Sequence, residues 1–299
     1  MIDVSIIILN YNTFQLTCGC IESIYEKTQH VTFEIILVDN ASSECPAEAF
    51  KDKFSEIVLL KSSVNLGFSK GVNFGLREAK GKAVLLLNSD TRLINNAVYL
   101  AYKRLFSENT LAAVSCKVVT SRGEVQSVAQ RFPSIKLLVA ELLRLYRIMT
   151  PAARESIFLG DYFNHDKEVY ADWVWATFFM IKKSVIKKLP GQQLDDTFFM
   201  YEEDKLWCYQ FADLEYKILY TPAPEIIHYV SGSTKSPQEV TLRNKRIIQN
   251  EFTCLSMMRS KPYAKLYFIL KSLQYRFSGY TKGWELALLY QKVALGREI

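Results

Sequence analysis

What the chain lacks narrows its reading first. Its 299 residues hold only three histidines, at 30, 165 and 228, and six cysteines, at 18, 20, 45, 116, 208 and 254, with no C-x-x-C pair among them. Those spacings build no zinc site. Several of the cysteines fall in apolar-periodic stretches, where a reduced, packed thiol and hence a reducing compartment are expected. No run of about 18 uncharged apolar residues occurs, so no simple membrane-spanning helix is expected. Met-Ile-Asp-Val-Ser opens into an apolar run without a basic segment or cleavage site, so no signal peptide is expected. Two common phosphate-cradling loops are also missing: G-x-G-x-x-G after the first strand, and G-x-x-x-x-G-K-S/T anywhere.

What is present is an ordinary globular composition, 49% hydrophobic and 23% charged, long enough for one large domain or two smaller ones. The net charge of +6 is uneven. Residues 241–299 carry 11 Lys and Arg against 3 Asp and Glu, whereas the first 240 carry 26 against 28. A basic tail on a near-neutral body points to a polyanion or an anionic membrane surface at the C-terminal end.

Short apolar runs alternate with helical patterns through the first 120 residues. "VSIIIL" (4–9), "FEIILV" (33–38), "IVLLK" (57–61) and "AVLLL" (83–87) read as strands buried on both faces. Helices are expected from Phe14 to about Lys27, after Pro46, and from Ser69 to about Ala79. This alternation predicts an α/β fold with a parallel sheet. The strands end in "NYN", "VDNAS" and "LNSD", so Asn10, Tyr11, Asn12, Asp39, Asn40, Asn88, Ser89 and Asp90 are expected along one sheet edge, where such sheets bind ligands. Turn and helix-capping chemistry would use the same residue types, and that reading stays open for each. In "NLGFSKGVNFG" (65–75) glycines 67, 71 and 75 are expected on one helix face, packed against the sheet. Asn65 and Gly67 fall where a loop can offer amides to phosphate.

Farther along, "IKLLVAELLRLYRIM" (135–149) reads as an amphipathic helix with Lys136, Arg144 and Arg147 along an apolar body. "DWVWATFFMIKKSVI" (172–186) reads as a strand. "LDDTFFMYEEDKLWCYQF" (194–211) sets Glu202, Glu203 and Asp204 among aromatic residues, a setting that raises carboxyl pKa values as a general base requires. The same carboxylates would also suit the start of a helix, and both readings stand. "YKILYTPAPEIIHYVSGST" (216–234) predicts a short strand, a proline-punctuated turn and His228.

Taken in order, these stretches resemble the inverting glycosyltransferases of family 2, which have a GT-A fold, a Rossmann-like, mostly parallel central sheet flanked by helices. The nearest likeness is to rhamnosyltransferase-like members that build cell-surface polysaccharides. The resemblance covers roughly residues 3–234. It implies a UDP- or dTDP-sugar donor bound by Asn10, Tyr11, Asn12, Asp39, Asn65, Gly67, Asn88 and Ser89, with Asp39 on the nucleotide base. It further implies Mg²⁺ or Mn²⁺ held by Asp90 and His228, Asp204 as general base with Glu203 beside it, and Trp173, Trp175 and Tyr201 on the acceptor side. The chain departs from the family where "E-D-x-D-L-C-x-R" is usual. Here Leu206 and Gln210 replace the second aspartate and the arginine, and "GQQLDD" (191–196) replaces a Gly-Gly-Phe-Asp-Glu loop.

The expected organisation is a catalytic domain over 1–234, with a nucleotide-sugar half to about 120 and an acceptor half to 234, then a helical basic region over 235–299. That region, with Tyr, Trp, Phe and Leu interleaved with Lys and Arg from 263 to 295, either meets an anionic membrane surface or forms a helical subdomain or oligomer interface. The expected partners are the donor and a saccharide acceptor, lipid-linked acceptors included, with no nucleic acid. The expected place is the cytoplasm, peripheral on the inner face of the cell membrane. Two other readings remain: a nucleotidyltransferase-like sugar-nucleotide enzyme, and a non-catalytic binding or scaffold protein of the same fold.

Overall fold

The computed structural model describes residues 1–229, 237–277 and 283–299. By packing, the chain forms two units, the first from Met1–Gln130 and Asn164–Ser231, the second from Arg131–Phe163 and Gly232–Ile299. The first unit opens with β1 (Val4–Asn10), α1 (Phe14–Lys27), β2 (Phe33–Asp39), α2 (Glu48–Lys53), β3 (Val58–Lys61), α3 (Gly67–Leu76) and β4 (Ala83–Asn88), the alternation expected of it. It continues through β5 (Thr91–Leu93), α4 (Ala97–Leu105), β6 (Leu111–Thr120) and β7 (Ala129–Gln130). After α5 (Ile135–Leu142) and α6 (Pro151–Phe158) of the second unit come β8 (Val169–Ala171), β9 (Trp173–Val174) and β10 (Phe178–Lys182). The first unit then ends with α7 (Lys183–Ile186), α8 (Glu203–Asp213) and β11 (Lys217–His228). Helices α9 (Pro237–Met258), α10 (Lys261–Arg276) and α11 (Gly283–Ala294) belong to the second.

Nine strands form the main sheet in the order β3-β2-β1-β4-β10-β6-β11-β5, with β8 also against β11. Strands β3, β2, β1 and β4 run parallel, as do β6 and β11, and β10 lies antiparallel between the two groups. Ile6, Ile7, Ile8, Leu85 and Leu86 are at most 1% exposed, each contributing roughly 1.5–3 kcal/mol through burial. Gly71 and Gly75 of α3 pack against the sheet as expected, whereas Gly67 lies against Phe199, outside the sheet. A Cβ on Gly71 would stand 2.5 Å from Leu9, and one on Gly75 2.8 Å from Ile7.

Two stretches fold differently from their pattern. Residues 172–186 break into β9, β10 and α7, because hydrogen bonds tie Ala176 to Asp204 of α8 and Thr177 to Asn88 of β4. The prolines at 222 and 224 make no turn. They sit in a bulge between Tyr220 and Glu225 of a continuous β11, where a residue without an N–H can leave the ladder without ending the strand.

The second unit has its own core. Leu138 of α5 is buried with Ile248, Leu255, Phe268, Tyr290 and Val293. Lys271 bridges to Glu251 at 2.6 Å, and the Tyr290 hydroxyl donates to the other Glu251 oxygen at 2.6 Å. Residues 131–163, expected in the acceptor half, pack instead with the C-terminal helices, because the apolar side of α5 is covered by α10. Among the described residues no helix is long and apolar enough to cross a membrane.

Candidate active site

The parallel register sets Asn10 beside Asp39 and Leu9 beside Asn88, so three strand ends meet at one edge. Asn10 is fully buried, and its amide is the hub of that edge. Its Nδ2 donates to Asp39 Oδ1 at 2.9 Å and to Ser42 Oγ at 2.8 Å. Its Oδ1 accepts from Thr13 at 3.1 Å and Thr17 at 2.8 Å. Thr13 Oγ1 lies 3.1 Å from Ser89 Oγ, and the Asn12 amide donates to Ser42 Oγ at 3.1 Å. A continuous polar rim thus runs from Ser89 through Asn10 and Asp39 to Asn12. Asn10 frames this rim from behind, while Tyr11 is 45% exposed beside it.

The loop before α3 is held by a second network. Asn40 Nδ2 donates to Asn65 Oδ1 and to the Gly67 carbonyl, both at 3.1 Å, and Asn40 Oδ1 accepts from the Leu66 amide at 2.8 Å. Gly67 has φ +78°, and a Cβ there would stand 2.3 Å from the Phe199 carbonyl oxygen. That close approach exists because the Phe68 amide donates to Phe199 O at 2.6 Å, and Ser69 Oγ to Phe198 O at 2.9 Å. Asn73 pairs both ways with the Leu194 backbone, at 2.7 and 3.1 Å. The segment leading to Glu202, Glu203 and Asp204 is therefore fastened to α3.

At the end of β4, Asp90 and His228 come together, because β11 pairs antiparallel with β5 and sets His228 opposite Thr91. His228 Nε2 lies 3.3 Å from Asp90 Oδ1, and its Nδ1 lies 2.9 Å from Gln126 Oε1. Gln126 carried no signal in the sequence. The Gln126 contact holds the His228 ring through Nδ1 and leaves Nε2 on the Asp90 side. Two donor atoms on one divalent cation at a right angle stand roughly 3 Å apart, so this pair fits such an ion. Among the described residues no group of three or more His, Cys, Asp or Glu gathers as a metal cage.

Tyr201 and Glu202 both have φ +76° and turn the chain into α8. Asp204 Oδ2 accepts from the Ala176 amide at 3.2 Å, and Oδ1 from the Lys205 amide at 2.8 Å. Burial pushes the Asp204 carboxyl above the usual carboxylate range, against the pull of Lys205. Glu203 is 7% exposed, and its Oε2 has no hydrogen-bond partner. Burial, and then the Asp204 charge, raise it well above its ordinary value. Lys205 Nζ bridges to Glu202 at 2.6 Å and sits 4.8 Å above the Trp173 ring. Trp175, half-buried, adjoins Ala176. The Asn88 amide donates to Thr177 O at 3.1 Å. Residues 176 and 177 therefore anchor Asp204 on one side and the strand end that leads to Asp90 on the other.

Residues 5–208 match the family model of glycosyl transferase family 2. The chain is 31% identical over 107 residues to an uncharacterized glycosyltransferase of Rickettsia bellii, covering 36% of this chain and 15% of that protein. It is 24% identical over 190 residues to a teichoic acid poly(glycerol phosphate) polymerase of Staphylococcus epidermidis, covering 60% of this chain and 26% of that one. The chain thus spans well under two thirds of either relative's length. Among solved structures, GalNAc-T7 with UDP, GalNAc and Mn²⁺ superposes with a TM-score of 0.62 at 12% identity, over 99% of this chain and 55% of that one. At that identity the likeness is one of fold.

Proposed function

The chain belongs to glycosyl transferase family 2 and has the GT-A fold, and from that premise we propose that it moves a sugar, rhamnose in our reading, from a UDP- or dTDP-sugar to a saccharide acceptor. The transfer inverts the anomeric centre and serves cell-surface polysaccharide synthesis, on the cytoplasmic side of the membrane. The relative named for teichoic acid synthesis favours a cell-surface polymer, and the neighbour holding UDP, GalNAc and Mn²⁺ favours a nucleotide-sugar donor.

Asp39 accepts the N3–H that uracil and thymine both present, with Tyr11 packing on the base. Asn12, Asn65, Gly67, Asn88 and Ser89 line the rest of the donor, and Asn10 holds Asp39 and Thr13 in place. Asp90 and His228 would hold Mg²⁺ or Mn²⁺, which when bound supplies positive charge to the departing diphosphate. Asp204 takes the proton from the acceptor hydroxyl as that oxygen forms its bond to the anomeric carbon. The bond from that carbon to the diphosphate oxygen breaks with its electron pair leaving on the diphosphate. Glu203, beside the base, orients the acceptor, and Trp173, Trp175 and Tyr201 shield the reaction from water. The basic C-terminal region meets the anionic membrane surface where a lipid-linked acceptor would lie.

One observation carries this reading. Asp204 and Asn88, at the strand end that leads to Asp90, are hydrogen-bonded to the adjacent residues Ala176 and Thr177, which supports reading a base and a diphosphate site as parts of one site. A screen of UDP-, dTDP- and GDP-sugars, with and without Mn²⁺ or Mg²⁺, tests it. We expect donor turnover with the pyrimidine carriers and a divalent ion only. Equal use of GDP-sugars, or full activity in excess chelator, would overturn it.

A further inference from the structure

The helix expected over 135–149 stops at Leu142, and the chain then projects as a turn. Arg144 has φ +54°, a left-handed backbone that sterically disfavours a non-glycine residue. A single 3₁₀ turn over Leu145–Arg147 and the cap of α6 at Thr150 complete the reversal. Large aliphatic side chains occupy the outside of this turn. Leu143 is 66% exposed and Ile148 85% exposed, with Leu145 and Ile157 also in solvent. Arg144 and Arg147 in the same turn, and Lys136 in the first turn of α5, are exposed as well.

The turn is not loose chain. Helix α5 is held at both ends within its own unit: the Ile135 amide donates to the Tyr263 hydroxyl at 2.9 Å, and Gln274 Nε2 to Glu141 Oε2 at 2.8 Å. Leu138 is buried in the core of that unit. Under the turn, Tyr146 packs on Tyr162 at 5.4 Å, and Tyr162 on Phe158 at 5.1 Å. Arg147 and Arg154 each lie 6.0 Å from a tyrosine ring of this cluster. A fixed base thus leaves Leu143 and Ile148 in solvent, with Arg144 and Arg147 exposed in the same turn.

We infer that the 143–148 turn is an insertion tip for an anionic lipid bilayer, its aliphatic apex entering the acyl region while Arg144, Arg147 and Lys136 meet lipid headgroups. Charge decides the occupant. Residues 131–163 hold five Lys and Arg against three Asp and Glu, and residues 241–299 of the same unit hold 11 against 3, a sign that attracts an anionic leaflet and repels a second copy of the unit. The turn exposes aliphatic side chains next to a cluster of aromatic rings, the two residue types that suit a bilayer's chain interior and interface. On α10 of the same unit Leu266, Ile269 and Leu273 are also exposed. This inference deepens the membrane part of the proposed function and fails separately from it.

The test is flotation of the full chain with vesicles of about 30% phosphatidylglycerol in phosphatidylcholine, against pure phosphatidylcholine. Native protein should float with the anionic vesicles. Leu143→Asp/Ile148→Asp should lose at least tenfold of that binding, Arg144→Glu/Arg147→Glu a similar factor, and Ile148→Leu should bind as the native chain does. Unchanged thermal melting of each variant shows that the fold is intact, and none of these positions lies in the proposed donor or acceptor machinery. If native protein floats and the aspartate variant floats equally, the tip is wrong and the membrane reading stands on α10 and α11. If native protein does not float, both fail. If the variant instead abolishes a dimer seen by sedimentation, a second copy covers the turn and the inference is overturned.

Discussion

Asp204 accepts two backbone hydrogen bonds, whereas its neighbour Glu203 is buried with an oxygen unpartnered. That contrast divides their roles. Removing a general base costs about 10²–10⁴ in rate, so Asp204→Asn should lose that much in kcat with the donor KM nearly unchanged; steady-state kinetics that leave kcat near native would remove Asp204 from the role. For Glu203 the readout is stability. Both carboxyls are raised in the folded state, so above the ordinary carboxylate range the folded chain binds more protons than the unfolded one. Stability therefore falls as pH rises through that window, and is highest below it. Glu203→Gln cannot ionise. It should melt in urea like the native protein near pH 4 and be more stable near pH 8, by about 1.4 kcal/mol for each pH unit by which the folded carboxyl is raised. An equal gap at the two pH values would mean that Glu203 does not carry the shift.

At the scale of elements, α3 joins the two sides of the site. The glycine spacing in "NLGFSKGVNFG" was legible as a packing face, and Gly71 and Gly75 fill that role against Leu9 and Ile7. Gly67 does something that periodicity could not reveal, because its neighbour Phe199 is remote in sequence and meets it only through the fold. Gly67→Ala must move the Phe199 carbonyl and also strain a positive φ, so we expect a loss of roughly 1–3 kcal/mol together with a lower kcat, since the Phe199 segment leads to Asp204. Gly123 offers the control. It has φ +81° but no atom within 4 Å of where a Cβ would stand, so Gly123→Ala should cost only the backbone strain, about 1 kcal/mol, and leave kcat alone. Urea melts and kinetics on the pair check both halves; equal effects at the two sites would refute a coupling through Phe199. Strands β1, β2 and β4 were legible for a related reason, whereas β3, expected to be buried on both faces, is an edge strand with Val58, Leu59 and Leu60 half-buried and Lys61 exposed. A strand buried on both faces writes itself as an uninterrupted apolar run, whereas β9 and β10 are short and are set by the ties of Ala176 and Thr177 to distant partners.

At the scale of the whole molecule, Asp90, Gln126 and His228 come from three separated segments, and only the return of β11 beside β6 and β5 brings them together. Asp90 could be proposed from its place after an apolar strand and His228 from its resemblance to a family motif, but Gln126 lies in an irregular stretch with no pattern of its own. The same global pairing sets the metal prediction. If the ion joins Asp90 and His228 to a nucleotide diphosphate, then UDP and Mn²⁺ should stabilise the protein more together than the sum of each alone. A ligand at 100 times its Kd adds about 2.7 kcal/mol to folding stability, which is several degrees in a thermal scan. Asp90→Ala should lose the joint effect and keep the smaller shift that UDP produces through Asp39. Gln126→Ala should sit between the two, because the imidazole stays but its orientation is no longer held, and a roughly 10–100-fold weaker metal affinity is the usual size of such a change. Mn²⁺ titrations followed by paramagnetic resonance on the three proteins, with UDP present, should therefore rank native, Gln126→Ala and Asp90→Ala in that order. A Gln126→Ala variant that binds Mn²⁺ as tightly as native protein would show that the Gln126 contact does not orient His228 for the ion.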